Sequence, residues 1–201
     1  MDAKEARKTR MAKMYRPKAI IIKQIGNYNM SALRDFTITS VPGTSTYILT
    51  HGRQCAKINI RDILYVDSLR KCGHRGSFTL RRLIEFAEQN DLDMELEDAS
   101  MLEEYDIDLA LLKIAQTGNT WYGKYGFQNG LEERQAELHA FIQSPYKDST
   151  YQVKAIEWAD RLKAGDESVV DDLKELCQHV ADFLKDLPYT IHHRPRRTRR
   201  V

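Results

Sequence analysis

The sequence predicts an α/β (α+β) domain, built on a mixed central sheet flanked by helices and followed by an α-helical C-terminal appendage. Three observations carry that expectation. Up to residue 67, a β-branched apolar run and then alternating apolar and polar residues recur between turn signals. Between Ser77 and Gln89 the period lengthens, with Leu80, Leu83, Ile84 and Ala87 on one helical face. After Phe127 the chain becomes strongly charged, with apolar stripes at helical spacing.

Residues 1–17 have helix-forming composition but no apolar stripe, and Pro17 ends any helix there. Ala19 to Ile25 is an apolar β-branched run between Pro17 and Gly26, hence a buried strand. Ser31 to Asp35 suits a single helical turn. Phe36 to Val41 and Ser45 to Thr50 flank Pro42-Gly43 and read as a hairpin. His51-Gly52 turns the chain again. Cys55 to Asp67 then reads as a strand whose alternation changes phase near Asp62, the mark of a bulge. Leu92 to Leu96 is a short strand, and Ile107 to Ala115 a helix apolar almost all round. Leu131–Ile142, Tyr151–Leu162 and Val169–Leu187 are three amphipathic helices separated by Ser144-Pro145 and Ala164-Gly165-Asp166. The organisation expected is a basic arm (1–17), a domain (18–130), a helical extension (131–187) and a basic tail (188–201).

The near-neutral total charge hides polarity along the chain. Seven of the first 18 residues are basic and two acidic, and the last eight include five arginines and no acid. The remaining body carries 19 basic and 27 acidic residues. Two basic arms on an acidic body suit contact with a nucleic acid, an anionic surface or an acidic protein face, or act only as solubilising termini. No apolar run reaches the roughly 18–20 residues that span a bilayer, and no secretory signal pattern follows the basic N-terminus. Cys55, Cys72 and Cys177 have no metal-ligand spacing. Free cysteines in a reducing, intracellular (cytoplasmic or nuclear) protein are therefore expected. His192-His193 lies in the basic tail without acidic or cysteine partners, so no metal site is assigned.

The stretch richest in chemistry is Lys71-Cys72-Gly73-His74-Arg75-Gly76-Ser77, a basic glycine turn between a strand and a helix. Free backbone N–H groups and the dipole at such a helix start favour a phosphate or pyrophosphate.

The run Ile60-Arg-Asp-Ile-Leu-Tyr-Val, the basic turn and Gly76-Ser-Phe-Thr-Leu-Arg-Arg-Leu-Ile-Glu-Phe-Ala87 together resemble motif A of the GNAT N-acetyltransferase superfamily. Downstream, Trp121-Tyr-Gly-Lys-Tyr-Gly-Phe127 resembles that superfamily's Tyr-x-x-x-Gly-Phe motif, and Leu96-Glu-Asp-Ala-Ser100 fits the intervening strand. The resemblance covers about residues 18–130. It implies a splayed sheet with acetyl-CoA in the gap. Lys71, Gly73, His74, Arg75, Gly76 and Ser77 would hold the pyrophosphate. Backbone around Leu64, Tyr65 and Val66 would pair with the pantetheine. Tyr122 would protonate the departing thiolate. Acyl transfer in the family runs directly to a bound amine. Alternation puts Met94, Leu96 and Asp98 on one face, so Asp98 is the candidate base and Glu97 the second; a structural hydrogen bond is the alternative for Asp98, and ring packing for Tyr122.

The chain departs from the family pattern in three ways. His74 stands where the turn's middle glycine belongs, the helices after the first strand shrink to Asn27–Asp35, and no final strand hairpin is evident after Phe127. Two functions follow. One is acetyl-CoA-dependent transfer to a primary amine (a small molecule, a polyamine or a protein lysine). The other is a catalytically degenerate scaffold that joins an assembly, or contacts nucleic acid, through its helices and basic arms.

Overall fold

The computed structural model describes residues 20–22, 24–70, 72 and 76–196. The basic arm 1–17 lies outside them, as do residues 197–201 of the basic tail and Lys71, Gly73, His74 and Arg75. The architecture is mixed α/β, with a central mixed sheet flanked by helices. The chain divides into two compact units, residues 1–94 with 196–201, and residues 95–195.

The first unit is a meander. Strands β1 (Ile20–Ile22), β2 (Thr37–Ser40), β3 (Thr46–His51), β4 (Arg53–Ile60) and β5 (Ile63–Leu69) lie side by side in that order. Each consecutive pair is antiparallel. A helix, α1 (Gly76–Gln89), then leads to β6 (Asp93–Glu97). Alternation decides the faces. Ile38, Leu49, Ile58, Ile60, Leu64 and Val66 are buried, while Thr46, Lys57, Asn59, Ile63 and Tyr65 are partly exposed. Helix α1 contributes buried Leu80, Leu83, Phe86 and Ala87, and it packs against β5 and the short 3₁₀ turn Ser31–Leu33. Asn90 ends the helix: its Nδ2 donates to the carbonyls of Phe86 (2.8 Å) and Asn29 (3.0 Å).

Two expectations are corrected here. The run Cys55–Asp67 is not one strand with a phase break. It is the hairpin β4–β5, turning tightly at Arg61-Asp62, where Arg61 N–H donates to the Ile63 carbonyl (3.1 Å). A register shift does exist, but between Lys57 and Ile58, so that Asp67 is the extra residue on β5. The second correction concerns the cysteines. Cys55 and Cys72 form a disulfide, both fully buried, and only Cys177 is a free thiol. The expectation of a reducing compartment loses the support it drew from three free cysteines.

The second unit has its own core. A two-residue ladder, β7 (Met101–Leu102) with β8 (Ile107–Asp108), precedes α2 (Leu109–Thr117). That helix starts two residues later than predicted because Asp108 caps it, its Oδ1 accepting from Ala110 N–H (2.8 Å) and Leu111 N–H (3.0 Å). It ends at Gly118, whose φ of 68° closes the turn. Next come a 3₁₀ segment (Gly130–Arg134), α3 (Gln135–Ile142), the ladder β9 (Pro145–Tyr146) with β10 (Ser149–Thr150), α4 (Tyr151–Lys163) and α5 (Val170–Leu184). Leu111 and Ile114 of α2, Leu138 and Ile142 of α3, Trp158 of α4 and Leu173, Leu176, Val180 and Leu184 of α5 form one core. The helices after residue 130 therefore share a hydrophobic interior with the helix before it.

A final strand, β11 (Ile191–Arg194), lies next to β6 in the sheet order, with Asp98 N–H donating to the Thr190 carbonyl (2.8 Å). This corrects the assignment of residues 191–194 to a tail and adds a strand after Phe127. Among the described residues, no helix is long and apolar enough to cross a membrane.

Candidate functional site

The residues singled out by sequence fall into two sets, one in each unit. In the first unit, Leu64 and Val66 are buried on β5 while Tyr65 points to the opposite, partly exposed face. The backbone of these residues pairs with β4, and β6 is the neighbour of β5 on its other side. Gly76 and Ser77 begin α1, as an anion-holding helix start requires. The rest of the predicted turn lies outside the described residues, except Cys72, which the disulfide ties to β4. The Cys72 Sγ also sits 3.6 Å from Oγ1 of the fully buried Thr79. Cys72 and the first residues of α1 are the described parts of this stretch.

In the second unit, Asp98 and Tyr122 do come together. Asp98 directly follows β6 and is buried. Its Oδ1 accepts from the Ser100 backbone N–H (3.2 Å) and from the Ser100 hydroxyl. The structural hydrogen bond weighed as the alternative for Asp98 is thus present. Glu97, the second candidate, is exposed at the strand end.

Tyr122 precedes a 3₁₀ turn (Gly123–Tyr125) closed by Gly126 at φ 82°. Tyr125 N–H donates to the Tyr122 carbonyl (2.9 Å) and Gly126 N–H to that of Gly123 (2.9 Å). Only glycine suits that positive φ without strain, which accounts for the Gly-Phe pair ending the motif. Trp121 packs edge-on against the Tyr122 ring (5.0 Å between centroids), and Phe127 lies 6.0 Å away on it. Burial, reinforced by the nearby Asp98 carboxylate, pushes the Tyr122 phenol well above its ordinary value, so it stays protonated.

The residue that sequence reasoning missed is His192. Its ring lies 4.9 Å from that of Tyr122, tilted by 49°. It is fully buried, and neither ring nitrogen has a hydrogen-bond partner. Desolvation lowers its pKa to about 4, so the imidazole is neutral near pH 7. Strand β11 is fixed there by two reciprocal bonds between Gln128 and His193 (both 2.8 Å). Arg194 Nε adds a bond to the Tyr125 carbonyl (3.0 Å). Hydropathy could not reveal this strand, because its two inward positions are His192 and Arg194.

The cluster therefore joins a buried carboxylate, a protonated phenol and a neutral imidazole from three separate stretches. Such a set can donate a proton from Tyr122 and accept one at Asp98 or His192. No family model, curated protein or solved structure matches the chain.

Proposed function

We propose that the protein is a GNAT-type N-acetyltransferase that takes acetyl-CoA and passes its acetyl group directly to a primary amine. One observation carries this reading. Asp98 and Tyr122, picked from separate stretches as base and acid, lie close enough in the second unit for the buried Asp98 to act on the half-buried phenol, which stays protonated. The chemistry balances without a covalent enzyme intermediate. The amine nitrogen forms a bond to the acetyl carbonyl carbon and the C–S bond breaks. The amine proton leaves to a carboxylate, and the thiolate takes the Tyr122 proton. By the family resemblance, the helix start at Gly76-Ser77 would hold the cofactor's pyrophosphate.

The test is mass-spectrometric detection of acetylated product from a panel of polyamines, small amines and lysine peptides, with wild type and Tyr122→Phe side by side. Acetyl-CoA-dependent product that drops in the variant supports the reading. Product formed equally well by Tyr122→Phe removes Tyr122 as the acid.

A specific observation favours the second reading, a scaffold with the transferase chemistry lost. Asp98 already spends one oxygen on Ser100, which ties down the proposed base. In that case the helices and the basic termini would dock the protein into an assembly or on nucleic acid. Salt-sensitive retention on nucleic acid, lost on deleting residues 1–17 and 197–201, distinguishes it.

A further inference from the structure

We infer that the partly exposed face of the first unit's sheet holds a binding site for a small anion, a carboxylate or a phosphate, carried on a planar apolar body. A cavity of about 430 Å³ opens there, between β3, β4 and β5. A second, of about 580 Å³, adjoins it through Thr46, Asn59 and Arg61 and reaches the hairpin tip at Gly43–Ser45. Both fall within the roughly 300–1,000 Å³ range of small-molecule pockets. The register explains why these groups converge. Thr46 pairs with Asn59, and Asn59 with Tyr65, so three strands present one row of side chains to the same face.

The charge balance selects the ligand. Lys57 and Asp67 form an ion pair and neutralise each other. Arg61 has no carboxylate partner among the described residues, Asp62 included, and is the cavity's uncompensated charge. Its Nε donates to Ser45 Oγ (3.4 Å), and that hydroxyl donates to Asn59 Oδ1 (2.8 Å). The Arg61 carbonyl accepts from the Tyr28 hydroxyl (3.4 Å), which steadies the turn. The guanidinium is thus held through Nε, and its terminal nitrogens present a fork that matches an oxyanion. Ile63 and Tyr65 supply the apolar wall beside it. The site does not depend on acyl transfer. Because Tyr65 also lies on the strand proposed for the cofactor, acetyl-CoA is included as a competitor.

The experiment is a ligand-observed NMR titration of the full chain with benzoate, phenyl phosphate and, as cationic control, benzylamine. Saturable binding of an anion but not of benzylamine is expected. In Arg61→Gln it should weaken about ten-fold or more, the loss of one charge-assisted hydrogen bond. Arg61 is exposed, so that variant should fold. Asn59→Asp keeps the shape, sets a carboxylate beside the guanidinium and should weaken binding comparably. Preference for benzoate or for phenyl phosphate assigns the anion. The inference is overturned by anion affinity unchanged in both variants, by equal binding of benzylamine or by no saturable anion binding. It is equally overturned if acetyl-CoA displaces the probe, since the cavity would then belong to the cofactor groove.

Discussion

The two units place their polar groups differently. In the first, charged and polar side chains sit on a partly exposed sheet face and satisfy one another, as Lys57 does with Asp67 and Ser45 with Asn59. In the second, they are carried into the interior, and His192 is left there with no partner for either nitrogen. A surface arrangement of the first kind costs little and reveals little. A buried polar atom without a partner costs roughly 1–3 kcal/mol, so a fold retains it only where something other than stability decides the residue. The cluster around Tyr122 is therefore the better marker of function.

The largest effect expected is on turnover. Replacing Tyr122 by Phe should lower acetyl transfer by about 100-fold or more, the usual contribution of a positioned acid, while leaving the melting temperature nearly unchanged. Steady-state rates beside a thermal melt check both halves. A variant that melts far lower would place Tyr122 with the packing instead.

The next effect concerns pH. His192 is held below its ordinary value, so the unfolded chain binds its proton more readily. Stability from this group is full above about pH 6.5 and falls as pH drops towards 4, by on the order of 3 kcal/mol in all. Denaturant melts of wild type and His192→Leu across that range should differ in slope, the variant losing this component. At pH 7 the variant should also be no less stable than wild type, because two unsatisfied nitrogens disappear. Parallel pH profiles would mean that His192 is solvated or paired.

For the first unit, reducing the Cys55–Cys72 bridge should cost about 3 kcal/mol, the loop entropy for a separation of 17 residues. Melts with and without a thiol reductant measure it, and an unchanged melting temperature would contradict the pairing. The smallest effect is Lys57→Ala, where an exposed ion pair is worth about 0–1 kcal/mol. A loss comparable to that at His192 would erase the contrast between the units.

What could be read in the sequence follows the same division. The strands β2 and β3 and the helices α1, α4 and α5 declare themselves because their apolar residues keep one period and are the ones buried. The β4–β5 hairpin hides because its turn uses Arg61 and Asp62 rather than glycine or asparagine, so the alternation seems to run on with a slip. The disulfide hides because two cysteines 17 residues apart carry no spacing signature. Strand β11 hides because histidine and arginine occupy its buried positions. Asp98 and Tyr122 were found through a motif and an alternation, whereas nothing local distinguishes His192 from its exposed neighbour His193. Its role arises only when β11 is set beside Gln128, a pairing 65 residues apart in sequence.

The proposed activity stands or falls first on the cofactor. Calorimetric titration of the full chain with acetyl-CoA should give a saturable signal of one molecule per chain. The absence of any binding heat, together with an unmoved melting temperature at saturating acetyl-CoA, would contradict the transferase reading outright.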